Sequence, residues 1–302
     1  MSLSRPAVTL TRRTLLRTAA AAGAGALAAC APTRAGRGAR PLPITRTLPF
    51  ERIAYGSDPQ QFGELRRPPG AAPCPVVVVV HGGFWLSQYD LSLMVPVCEA
   101  LTYEGLATWN IEYRRLGDPG GGWPGTFLDV GAAVDHLRSF APHHGLEMRR
   151  TITLGHSAGG QLALWIAGRR WIQTGDLARP RPFKPRGAVS LAGIVDLRRA
   201  YDLGLQSVAT LMGGSPVEFA ERYDAASPAA LLPLGIPQVL VHGTVDPLVP
   251  EALSVEYQRE AKARGDDVKF IALEGIGHFE LIDPKSAAWP TVRDAVRGLL
   301  AS

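Results

Sequence analysis

Five consecutive valines, at residues 76–80, constrain this chain more than any other stretch. Valine branches at Cβ and favours extended backbone, and a run without polar alternation has no face to give to water. It reads as a strand buried on both faces, the kind found inside parallel sheets. Further interior strands are expected at 107–113, 150–154, 187–191, 238–241 and 268–273. Helical stretches fall between and after them at 91–103, 127–140, 161–170, 251–263 and 287–300. Apolar strands alternating with helices predict an α/β architecture, a mostly parallel central sheet covered by helices on both faces. Residues 50–55 and 62–66 read as an antiparallel edge. Residues 196–232 break the rhythm and are expected to form an excursion, a possible small cap over the carboxyl edge of the sheet. The chain has 302 residues, 46% of them hydrophobic, enough for one sizeable core. No internal repeat or second domain stands out, and residues 50–302 read as a single catalytic domain.

The chemistry is densest at Gly155-His156-Ser157-Ala158-Gly159, between a strand and a helical run. A G-x-S-x-G sequence in that setting is a sharp turn that lifts a serine hydroxyl above the sheet edge. Serine is a weak nucleophile and needs a positioned base. In such sites the nucleophile is followed along the chain by an acid and then a histidine. Of the seven histidines, only His278, in Gly275-Ile276-Gly277-His278-Phe279, lies beyond Ser157 and the acid candidates. Asp246 follows the strand at 238–241 and is favoured as the acid that orients the imidazole. Asp196 is its competitor, although a helix N-cap explains Asp196 more simply. A tetrahedral oxyanion needs N–H donors. Ala158 offers one, and His81-Gly82-Gly83-Phe84-Trp85 offers Gly83 and Phe84, with Gly82 in reserve. Trp85 is expected to pack under that loop.

These segments resemble the α/β-hydrolase superfamily. With Asn110-Ile111-Glu112-Tyr113-Arg114, Gly121-Gly122-Trp123-Pro124-Gly125, Gly160 and His278-Phe279-Glu280, they resemble its kynurenine formamidase (arylformamidase)-like, hormone-sensitive-lipase-like and feruloyl-esterase-like branch. The resemblance runs from about residue 50 to the end. It implies a serine hydrolase that cleaves a carboxylic ester or an aryl formamide through an acyl-enzyme, with no cofactor and no metal. A peptidase of the same fold and a non-catalytic, lipid-anchored binding protein on this scaffold are the rival readings. Asp129 reads as a helix cap, and Tyr113 and Arg114 as support below the site. Leu211, Met212 and Gly213-Gly214-Ser215-Pro216 fit either an acyl or aryl pocket or ordinary packing.

The first 29 residues read as an export signal. Arg5, Arg12, Arg13 and Arg17 precede a short Ala/Gly-rich apolar run, with no acidic residue before Cys30. Arg12-Arg13 ahead of Leu15-Leu16 resembles a twin-arginine signal. Leu27-Ala28-Ala29-Cys30 resembles a lipoprotein cleavage site, which implies lipidation of Cys30, membrane contact through that lipid and residence in a bacterial cell envelope. Residues 30–49 then form a Pro/Arg/Gly-rich tether. Those four arginines supply most of the net charge of +5, so the chain carries no nucleic-acid footprint. Cys74 and Cys98 are expected as buried thiols, a disulfide between them being disfavoured by placement before a strand and along a helix.

Overall fold

The computed structural model describes residues 48–70 and 73–301, so the expected signal, Cys30 and nearly all of the tether lie outside the described residues. Eight strands form one sheet: β1 (Glu51–Ala54), β2 (Phe62–Arg66), β3 (Cys74–Val80), β4 (Ala107–Ile111), β5 (Leu146–His156), β6 (Ala188–Leu191), β7 (Gln238–Gly243) and β8 (Val268–Leu273). Their order is β1-β2-β4-β3-β5-β6-β7-β8. β1 and β2 pair antiparallel, β2 joins β4 antiparallel, and every later pairing is parallel.

The valine run works as its composition requires. Successive side chains of a strand point to opposite faces. Val76, Val78 and Val80 therefore enter one core cluster, with residues of α2 (Gly125–Phe140), α3 (Ala158–Gly168) and α7 (Ala252–Ala263). Val77 and Val79 enter the other, against α1 (Val95–Tyr103) and α8 (Trp289–Ala301). All five are fully buried, each stabilising the fold by roughly 1.5–3 kcal/mol relative to exposure. This is the α/β-hydrolase fold.

Several boundaries shift by a few residues from the sequence expectation, and three of the shifts bear on the fold or the site. β5 starts at Leu146 rather than 150, because a register shift between Pro75 and Val76 lets Cys74 and Pro75 pair ahead of the main ladder. The helix expected over 91–103 opens as a 3-10 turn, Leu91–Met94, capped by the Asp90 side chain on the Ser92 N–H. Pro96 then sits in the first turn of α1, where its missing N–H costs nothing. α3 begins at Ala158, directly after the serine. Within 196–232 lie three short helices, α4 (Leu197–Asp202), α5 (Gln206–Met212) and α6 (Ala220–Ala226). They tie to the body through Trp165 Nε1–H on the Ala225 carbonyl (2.9 Å) and Ala229 N–H on the Val195 carbonyl (3.1 Å).

Candidate active site

Ser157 stands between the end of β5 and the start of α3, with φ 56° and ψ −123°. A residue with a Cβ is strained there and stays only if its surroundings over-determine it. They do so through the backbone. Ser157 N–H donates to the Leu191 carbonyl at the end of β6 (2.8 Å), and the Ser157 carbonyl accepts from Gly160 N–H (2.9 Å). Glycine is required on both flanks. A Cβ on Gly155 would overlap the Gly159 carbonyl, and one on Gly82 would lie 2.6 Å from the His156 carbonyl oxygen and 2.9 Å from Ser157 Cβ. The loop after β3 is thereby pressed against the serine.

That loop turns through three positive-φ residues in a row, Gly83 (106°), Phe84 (53°) and Trp85 (58°). Among the described residues, the Gly83 and Phe84 N–H groups meet no protein acceptor. Ala158 is the first residue of α3, so its N–H has no partner within the helix. The loop is braced from behind. His81 Nδ1–H donates to the Gly82 carbonyl (2.8 Å), and its Nε2 meets Glu112 Oε1 (2.9 Å). The Tyr113 hydroxyl donates to the His81 carbonyl (2.8 Å), and its ring stacks on the imidazole at 4.4 Å. Glu112 also accepts from the Leu91 and Tyr113 N–H groups and from Arg115. Burial opposes ionisation of Glu112, but the interactions with His81 and Arg115 and the Leu91 N–H outweigh it and hold its carboxyl below the ordinary value. Trp85 is buried under the loop, as expected. Its indole N–H donates to Gln161 Oε1 (3.3 Å), and Gln161 Nε2–H donates to the Ala226 carbonyl at the end of α6 (2.8 Å).

Asp246 and His278 come together from the loops after β7 and β8. His278 Nδ1–H donates to Asp246 Oδ2 at 2.6 Å, leaving Nε2 as the free ring nitrogen. The other carboxylate oxygen accepts from the Leu248 (2.8 Å) and Val249 (3.0 Å) N–H groups. His242 adds a third neighbour. Its Nε2 lies 3.4 Å from Asp246 Oδ2 but only 3.0 Å from the Val249 carbonyl, so its proton points chiefly at that carbonyl. Burial works against a charged Asp246, yet these donors and the His278 charge overcome it and hold the carboxyl well below the usual carboxylate range.

His156 joins the two halves. It is buried directly before Ser157, its ring 4.4 Å from that of His278, and its Nε2–H donates to the His278 carbonyl (3.0 Å). Burial first, and then the His278 charge, push its pKa down to about 3, so the ring is neutral at neutral pH. His156, the residue before Ser157, thus ties the backbone of His278 to the turn that carries the serine.

Asp196 is the N-cap of α4, accepting from Arg199 N–H (3.1 Å). Asp129 is not a cap. It sits inside α2, fully buried, and takes a two-pronged contact from Arg114 (2.8 and 2.7 Å) together with the Arg114 N–H and Gln61. Leu211 and Met212 are buried in the core, and Gly213 is the left-handed C-cap of α5, so packing accounts for them. Cys74 and Cys98 are free and buried, with burial pushing the Cys98 thiol up to about 12. His156, Glu112 and Gln161 were given no role by sequence. The one available signal was their position, within or beside the quoted motifs.

The BD-FAE family model matches residues 65–260, most of the chain, with Ser157 and Asp246 inside the match and His278 beyond it. An esterase of Mycobacterium tuberculosis, LipC, is 29% identical over 252 residues, covering 77% of this chain. The chain spans 60% of LipC's own length. The kynurenine formamidase avaC of Aspergillus versicolor is 29% identical over 218 residues, covering 60% of this chain and 73% of its own. Among solved structures, esterase B of Lactobacillus rhamnosis superposes with a TM-score of 0.72 at 21% identity, covering 85% of this chain and 88% of its own, which shows the shared fold. With the elbow, the glycine loop and the Asp246–His278 pair in this order on this sheet, the chain belongs to the BD-FAE family of α/β hydrolases.

Proposed function

We propose that the protein is a serine hydrolase that cleaves carboxylic esters through an acyl-enzyme. The carrying observation is the 2.6 Å Asp246–His278 contact, held by His156 next to a strained Ser157. In acylation His278 Nε2 takes the Ser157 proton while Oγ forms a bond to the carbonyl carbon. The oxyanion settles against the N–H groups of Gly83, Phe84 and Ala158, with Gly82 shaping that pocket. The bond to the leaving group breaks, and its electron pair collects the proton from His278. Water then repeats the cycle on the acyl-enzyme and releases the carboxylic acid and free Ser157. Asp246 stays ionised and stabilises the imidazolium.

An aryl formamide is the second reading, favoured by the likeness to a kynurenine formamidase. Phenyl acetate, p-nitrophenyl butyrate and N-formylkynurenine, each assayed against Ser157→Ala, separate the two. Turnover of the simple esters with little of the formamide supports the ester reading, and the reverse supports the formamidase. Ser157→Ala is expected to lower kcat by about 10⁴- to 10⁶-fold. Undiminished activity in that variant excludes the mechanism. We further propose that the chain is exported and anchored through a lipid on Cys30. Mass spectrometry of the mature protein would then show a modified Cys30 at the N-terminus, and an intact Met1 in the exported fraction would exclude it.

A further inference from the structure

The proton path indicates which part of the substrate lies where. In acylation the His278 imidazolium must hand its proton to the departing atom, so the leaving group has to sit within hydrogen-bond reach of that ring. The acyl oxygen, by contrast, faces the Gly83–Phe84 turn. A leaving group that extends past the ring therefore reaches the surface groups beside His278.

Exposed apolar side chains stand on both of the loops that carry His278 and Asp246. Phe279 is 53% exposed, with its ring edge-on to His278 at 5.3 Å and 6.1 Å from His156. Val245, the neighbour of Asp246, is 58% exposed, and its N–H on the Ile276 carbonyl (3.2 Å) ties it to the loop that carries His278. Leu248 is 38% exposed, and its N–H is bound to Asp246 Oδ1. Glu280, next to Phe279 in the chain, is exposed, with its carboxylate beside Gly277. Asp246 is engaged by His278 and the Leu248 and Val249 N–H groups, and His242 by Ser254 and the Val249 carbonyl. Against these three side chains a polyhydroxylated leaving group would shed hydration without gaining partners, whereas an apolar one covers Phe279, Val245 and Leu248.

We propose that this site selects esters whose leaving alcohol is apolar, aryl or cycloalkyl, with Phe279 as the specificity-determining contact. The inference rests on the serine-hydrolase reading. It is tested with two near-isosteric acetates, cyclohexylmethyl acetate and tetrahydropyran-4-ylmethyl acetate. They share the acyl group and differ by one ether oxygen in the alcohol. The wild type is expected to prefer the carbocycle in kcat/KM by about tenfold. Phe279→Ser should shrink that ratio to about twofold, and Phe279→Leu should keep most of it. Equal turnover of both esters by an active wild type overturns the inference alone. So does a Phe279→Ser variant in which the ratio persists, since Phe279 would then only support His278. An effect confined to emulsified esters, absent below their solubility limit, assigns the apolar rim to a lipid surface and also overturns it. If the wild type turns over neither ester and a small fluorophosphonate fails to label Ser157, the hydrolase reading itself falls, and this one with it.

Discussion

The two halves of the site are built by different physics. The nucleophile half, Ser157 with the loop after β3, is fixed by backbone sterics: a strained φ, glycines that exclude a Cβ and main-chain bonds to β6. The base half, Asp246 and His278, is fixed by hydrogen bonds that each engage a side chain: His278 to Asp246, His156 to the His278 carbonyl, and the Leu248 and Val249 N–H groups to Asp246. The first half should fail when atoms are added and be indifferent to pH. The second should fail when donors are removed and respond to protons.

Asp246→Asn removes the acceptor that sets the His278 tautomer, and a loss of about 10⁴ in kcat with KM little changed is expected. A loss below about tenfold would show that the base half does not depend on that bond. Gly82→Ala places a methyl against Ser157 Cβ and the His156 carbonyl, and should cost about 10²–10³ in kcat, comparable to losing an oxyanion donor. The loss should be the same across the pH range where the enzyme is stable. A pH-dependent loss would erase the contrast between the halves.

His156→Phe keeps the ring volume but not the donor to the His278 carbonyl. It should lower kcat by about ten- to a hundredfold with the melting temperature within a few degrees of wild type. His156→Gln, which can place an N–H near the same carbonyl, should recover part of that. The remaining effect, absent at neutral pH, is on stability in acid. His156 titrates near 3 in the folded chain and near its ordinary 6.5 when unfolded. The unfolded state therefore binds the extra proton first. Stability is full above about pH 6.5 and falls as pH drops toward 3, by up to about 1.4 kcal/mol per unit from this residue. Denaturant midpoints measured across that window should fall less steeply for His156→Phe than for wild type.

The same contrast explains what the sequence made legible. The valine run and the G-x-S-x-G turn announce themselves because sterics act locally: five apolar residues must be buried, and glycines two positions either side of a serine permit a tight turn. Asp246 was favoured over Asp196 because a cap is also a local event, and Asp196 does cap α4. Side-chain partnerships across the fold were not legible. Asp129 was read as a cap, yet it pairs with Arg114, and nothing in either neighbourhood names the other. His156 was only the variable position of the motif until the chain brought the His278 carbonyl to it. Glu112 became a brace for the glycine loop only once β4 lay beside β3.

The strand that carries the valines is also a ruler with parity. Even-numbered valines fill one side of the sheet and odd-numbered ones the other, and Gly82 meets Ser157 just past its end. Inserting or deleting one residue within 76–80 would exchange the two sets of side chains between layers of different shape. The same slip would carry the glycine turn out of phase with the serine. Length variation in this stretch should therefore be tolerated only in steps of two, and even then at the expense of the oxyanion turn.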